Sequence, residues 1–162
     1  MEHQNSRSEL KNQPEDKSKF IAKKKWTPTV IDAGFLIVPD VLVRSQAYLG
    51  LSPVDVVVLL NVGMHWWQED NLPYPRPSVI ANRMGISTRT VERRLANLQE
   101  NGFLKRREAE VLTTKGKKKT VRRFDLSGLI QKLAPLAERN LQLRKGRVDN
   151  FNQKLMEESL AK

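Results

Sequence analysis

Apolar and polar positions carry no regular period over the first 25 residues, which hold only Leu10, Phe20 and Ile21 as bulky apolar groups. Too little apolar surface is available there to offset the entropy of ordering, so residues 1–25 read as a disordered basic tail. A lead-in follows over 26–51. The run Gly34-Phe35-Leu36-Ile37-Val38 predicts a strand that Pro39 stops, and Asp40 opens a short helix through Tyr48 that Gly50 ends. Ser52-Pro53-Val54-Asp55 has the form of a helix start: Ser at the N-cap, Pro at the first helical position and an acid three residues after the Ser. The stretch from Val56 to Trp67 is rich in β-branched residues, but its length and cap predict a buried helix closed by Trp66 and Trp67. His65 beside them reads as a packed or surface histidine. Pro73, Pro75 and Pro77 then make 68–77 a turn region.

From Ser78 the pattern becomes specific. A first helix packs through Val79 or Ile80, Ala81 and Met84; Gly85 turns the chain sharply and Ile86 plugs the turn. Ser87 caps a second helix whose apolar positions Val91, Leu95 and Leu98 fall at i, i+4 and i+7. Two short helices joined by a tight glycine turn form the helix-turn-helix unit, whose second helix enters the major groove. At about 100° per residue, the side opposite the apolar stripe is occupied by Arg89, Arg93 and Ala96, flanked by Thr90 and Glu92, with Thr88 at the leading end. Arginine donates two hydrogen bonds to guanine O6 and N7, and a small Ala lets a helix come close to the bases. Glu92 is placed either to accept from cytosine N4 or to orient Arg93 or Arg89. Arg94 falls toward the buried side, in reach of a phosphate by snorkelling. After Asn101-Gly102, alternating residues on either side of Thr113–Lys119 predict a β-hairpin over 104–126. Its tip and returning arm place Lys115, Lys117, Lys118, Lys119 and Arg122 where they hold phosphates without reading sequence. Ser78 joins the contact set at the start of the first helix.

Residues 127–162 read as helix with Ser127 as cap. Ile130, Leu133, Ala137, Leu141, Arg144, Val148, Phe151 and Leu155 alternate by three and four, the spacing of a coiled-coil seam. Pro135 is expected to kink or restart this helix and Gly146 to weaken it. A homodimer through this segment is the favoured reading, ahead of packing back on the domain or a partly disordered tail.

Composition narrows the chemistry. The 162 residues carry 29 Lys+Arg against 18 Asp+Glu, a net charge of +11. The excess is not uniform. Residues 76–126 hold fourteen basic and five acidic groups, whereas residues 26–75 hold one and five. A phosphate lattice attracts such a concentrated basic block. The absence of cysteine excludes disulfides, thiolate metal sites and Cys nucleophiles, and two histidines cannot build a three-His metal site. No Walker loop, paired carboxylates or Ser-His-Asp spacing is present, so neither an enzyme nor a cofactor is expected. The longest apolar run, Val56 to Leu60, falls far short of the ~18 residues that span a bilayer. With no export signal in Met1-Glu2-His3-Gln4-Asn5, a cytoplasmic protein without membrane contact is expected.

Residues 52–126 resemble a winged helix-turn-helix domain of the kind found in bacterial, plasmid and phage regulators and in replication-initiator or primosomal proteins. The resemblance is carried by Leu51-Ser52-Pro53, Arg76-Pro77-Ser78, Ala81, Met84-Gly85-Ile86-Ser87, Thr90-Val91, Leu95, Leu98 and Asn101-Gly102-Phe103-Leu104. One departure stands out: the short link from Trp67 to Pro77 leaves little room for the extra strand such domains often have, unless Gly34–Val38 supplies it. The expected fold is mainly α with a small β-hairpin, a winged helix-turn-helix plus a C-terminal helical extension. The expected function is sequence-specific binding of double-stranded DNA, with 87–101 as recognition helix and 104–126 as wing. Transcriptional regulation is the first reading and a plasmid or phage replication initiator or primosome-type protein the alternative.

Overall fold

A computed structural model describes residues 17–66, 71–112, 114 and 116–160. Trp67 and Lys115, and the tail before Lys17, lie outside the described residues. The chain divides into two compact units between Ile37 and Val38.

The first unit holds α1 (Lys17–Trp26) and α2 (Pro28–Asp32). Helix α1 corrects the expectation of a tail that is disordered up to residue 25. Its Lys and Ala residues are good helix formers, and Lys23, Lys24 and Lys25 in the last turn complement the negative end of the helix dipole. Lys23 Nζ also reaches Asp32 Oδ1 of α2 at 3.0 Å. The expected strand over Gly34–Val38 is absent. That segment is irregular, with Phe35, Leu36 and Ile37 exposed. A strand requires a partner for its backbone groups, and none of the described residues supplies one.

The second unit runs α3 (Asp40–Arg44), α4 (Pro53–Gly63), α5 (Pro77–Met84), α6 (Thr88–Glu100), β1 (Lys105–Leu112), β2 (Lys118–Asp125) and α7 (Ser127–Leu160). Helix α3 is shorter than expected and is capped by Pro39, with Asp40 at its first position bonded to Arg44. Helix α4 starts as its sequence requires. The Ser52 side chain accepts from the Asp55 N–H, and Asp55 Oδ2 accepts from the Ser52 N–H at 2.9 Å. It ends at Gly63 rather than near Trp67, while Trp66 packs half-buried against the core.

Gly85 adopts φ 64°, and the Ile86 N–H bonds back to Ala81 O at 3.1 Å. Gly102 at φ 69° repeats the arrangement at the end of α6, where the Phe103 N–H bonds to Leu98 O at 2.8 Å. These left-handed caps stop each helix and redirect the chain at once, which sets the angle of α5 to α6 and of α6 to the hairpin. Packing then fixes the arrangement. Val58 and Val62 of α4, Ile80 of α5, Val91 and Leu95 of α6 and Leu104 are wholly out of solvent in one cluster. Each such side chain stabilises the fold by about 1.5–3 kcal/mol. Ile80, not Val79, is the inward residue of α5.

The hairpin pairs antiparallel from Lys105↔Asp125 to Leu112↔Lys118. Its place beside an extra strand is taken by the proline-rich link. The Phe124 N–H donates to Pro73 O at 2.8 Å, and Arg123 Nη1 donates to Asn71 Oδ1 at 2.7 Å and Leu72 O at 3.0 Å. Prolines at 73, 75 and 77 lack the N–H groups a ladder needs, so the contact stays a single bridge.

Helix α7 is continuous through Pro135, contrary to the expected restart. Leu129 and Leu133 are buried in the domain core and Leu136 and Ala137 pack against it, so burial on both sides of the proline holds the helix together. Its start is capped by Asp125, whose Oδ1 accepts from the Ser127 N–H at 2.9 Å, and not by Ser127 itself. Of the stripe expected to form a dimer seam, Leu133 and Ala137 therefore pack on their own domain while Ile130 is exposed, and Arg144 Nη2 lies 3.6 Å from Asp40 Oδ2 of α3. Beyond that point Leu141, Leu143 and Val148 are exposed. The side chains of Phe151 and Leu155 lie outside those described.

Candidate nucleic-acid interface

Helix α6 is anchored by its buried stripe and by one ion pair. Val91, Leu95 and Leu98 point into the core. Arg94 is half-buried, with Nη1 3.8 Å from Asp55 Oδ2, so the α4 capping carboxylate also ties down α6. This places Arg94 against α4 rather than snorkelled outward to a phosphate. Arg94 Nε and Asp55 Oδ1 are buried without hydrogen-bond partners. The charge attraction between the two groups therefore carries the contact, since their hydrogen bonding is incomplete.

The other residues of the expected contact set divide by what they touch. Ser87 Oγ accepts from the Thr90 N–H at 3.1 Å, and the two hydroxyls lie 2.8 Å apart. Both are therefore committed to the cap that starts α6. Thr88, Arg89, Glu92 and Arg93 are exposed, as are Ala96 and Asn97 one turn further on. Ser78 is exposed near the amino end of α5. On the hairpin Lys117, Lys118, Lys119 and Arg122 are all exposed. Lys118 Nζ pairs with Glu110 Oε2 at 3.1 Å, which diminishes its charge for an outside anion. Arg122 stands opposite Glu108 in the register.

Sequence reasoning missed several groups near this surface. Arg76, the residue before α5, is exposed beside it. Arg106 lies with its guanidinium 5.9 Å from the Phe124 ring centroid, and Arg123 lies 5.2 Å from that of Tyr74. The signal for these contacts was present only as alternation along β1 and β2, and the pairing partner in the proline link was not visible from spacing. At the link's far end Arg83 Nη1 lies 3.1 Å from His65 Nε2. Burial and then the nearby Arg83 charge hold the His65 pKa below its usual value, so the ring is neutral near pH 7. Among the described residues, no group of three or more His, Asp or Glu could hold a metal ion, and no helix is long and apolar enough to cross a membrane.

This arrangement can be set beside known proteins. Residues 38–143 match the DnaD N-terminal domain family, and that span is about two thirds of the chain. The chain belongs to the DnaD N-terminal domain family. The match begins where the second unit begins and runs into α7, so in this chain the family's domain includes the packed first half of that helix. The crystal structure of the N-terminal domain of DnaD protein from Geobacillus kaustophilus HTA426 is similar in fold. It is 21% identical with a TM-score of 0.51, over 75% of this chain and 96% of that one. No curated protein matches the chain. The expected architecture, mainly α with a two-stranded hairpin and a C-terminal helix, is therefore that of a DnaD N-terminal-type domain.

Proposed function

We propose that the chain is a double-stranded DNA-binding protein of the replication-initiator or primosome type, acting in the cytoplasm without catalysis or a cofactor. Helix α6 enters the major groove through Arg89 and Arg93, and the hairpin lies on the phosphates through Lys117, Lys119 and Arg122. The observation that carries the reading is the pair of exposed arginines one turn apart on a capped, core-anchored helix. Neither has a carboxylate within ion-pair distance among the described residues. The segment 76–126, with fourteen basic and five acidic groups, supplies the non-specific attraction. Membership of the DnaD N-terminal domain family favours replication over transcriptional regulation. A second copy pairs through α7 beyond Asn140, where Leu141 and Val148, seven residues apart on one helix face, offer exposed apolar surface.

Selecting bound fragments from the source genome tests the biological role. Clustered repeats at an origin are expected, and a single site upstream of an operon would return the reading to transcription. On a selected site Arg93→Ala is expected to cost about 1–3 kcal/mol, with little loss on random duplex. Equal losses on both would remove base reading from α6.

A further inference from the structure

Between the proline link and the hairpin runs an open cleft of about 1190 Å³. Small-molecule pockets hold about 300–1,000 Å³, so this is a trough for a chain more than a socket for a single compact ligand. Its walls are strongly one-signed. Among the described residues Arg76, Arg106, Lys119 and Arg122 line it, against the single carboxylate of Glu92. Among the described residues none of these four cations has a carboxylate within ion-pair distance, whereas Arg107 and Lys118 on the same hairpin are paired with Asp125 and Glu110. Arg106 Nε is in addition buried without a hydrogen-bond partner.

The cleft also contains a stacking platform. Tyr74 lines it and remains 49% exposed although the Arg123 guanidinium lies 5.2 Å from its ring centroid. The Arg123 guanidinium is itself fixed by Asn71 Oδ1 and Leu72 O. A large aromatic side chain held in place by a neighbouring cation and left open to solvent is pre-organised for a planar partner. A row of unpaired cations beside an open aromatic ring is the chemistry that holds single-stranded nucleic acid: cations follow the backbone and the ring stacks a base.

We propose that this cleft binds single-stranded DNA, with a base stacked on Tyr74 and phosphates on Arg76, Lys119 and Arg122. The cleft shares Lys119 and Arg122 with the duplex-contacting set and adds Tyr74 and Arg76, which that set does not use. A chain carrying both can hold duplex and an adjoining unpaired strand together. The inference rests on reading this side of the domain as nucleic-acid-binding, and its test separates the two.

The test measures anisotropy of a labelled oligothymidylate of about twelve nucleotides, within the 4–16 typical of single-strand sites, alongside a labelled duplex. Tyr74→Ala is expected to weaken oligothymidylate binding by about 5- to 150-fold and to leave duplex binding at the wild-type level. Tyr74→Phe, which keeps the ring, restores it. Because Tyr74 is half exposed the variant is expected to fold, and circular dichroism checks this. Independently, an oligomer carrying 5-iododeoxyuridine is photo-crosslinked to wild-type protein, and the attachment is expected in the peptide containing Tyr74. Unchanged oligothymidylate affinity in Tyr74→Ala, equal loss on both probes, or cross-links only outside the cleft would each overturn the proposal. Should Arg93→Ala leave binding of a selected duplex site intact while Tyr74→Ala loses the single strand, the duplex reading fails and the cleft stands.

Discussion

Among the glycines of the chain Gly128 leaves the least room for a side chain. A Cβ built there meets Gly102 O at 2.2 Å, Gly102 C at 3.1 Å and Phe103 C at 3.4 Å. All three are backbone atoms, so no side chain can swing aside. Reaching even 3.0 Å from the oxygen requires α7 to move by about 0.8 Å from the turn that ends α6. That turn is held by the Phe103 N–H bond to Leu98 O, and α7 is held by Leu129 and Leu133 in the core. Gly128→Ala is therefore expected to destabilise. Overpacking of this kind costs about 1–3 kcal/mol, while the propensity gain of Ala over Gly recovers at most about 1 kcal/mol. The gain is smaller still in the first turn of a helix. Gly146, in the same helix, supplies the internal comparison: its Cβ would meet nothing within 4 Å. Gly146→Ala is expected to stabilise by about 0.5–1 kcal/mol. Thermal denaturation of the two variants and wild type reads the opposite signs directly, with Tm shifting about 4 °C per kcal/mol. If Gly128→Ala were as stable as Gly146→Ala, the close approach of α7 to the α6 turn would be wrong.

Two further predictions concern α7. Asp125 is held below its ordinary pKa by the Ser127 backbone N–H foremost; burial opposes this next, and the Ser127 side chain and then Arg107 add to the lowering. A depressed folded value means stability that is present above the unfolded pKa near 3.8 and lost as pH falls through the folded one. Asp125→Asn is therefore expected to be less stable at pH 7 and to lose less stability below about pH 4, measured by urea midpoints across pH; parallel pH profiles for variant and wild type would count against it. Truncation after Asn140 is expected to leave the domain folded and monomeric by light scattering, whereas truncation after Leu126 removes Leu129 and Leu133 from the core and should unfold it. A dimer that survives the Asn140 cut would place the interface elsewhere.

Much of the central fold was legible because local signals and burial agreed there. Ser52 and Asp55, Gly85, Ser87 and Gly102 each announce a boundary through backbone chemistry that tertiary packing does not override, and Val91, Leu95 and Leu98 share one helical face. The flanks were misread where local pattern and tertiary partner disagree. Gly34–Val38 has strand composition but no strand beside it, and Leu133 and Ala137 fit a dimer seam as well as an intramolecular core because a heptad stripe does not name what it faces. The candidate surface divides in the same way. Arg89 and Arg93 follow from helix geometry, which a sequence contains. The cleft depends on Pro73 meeting Phe124 and on Arg123 lying by Tyr74, contacts between residues about 50 apart in the chain. The proline link thus has two effects from one cause. By withholding N–H groups it cannot become a third strand, and with a single main-chain bond to β2 it leaves the trough between itself and the hairpin open. A link with amide donors at 73 and 75 could form a full ladder with β2 and close that space, so the cleft is a consequence of the prolines and not a packing defect.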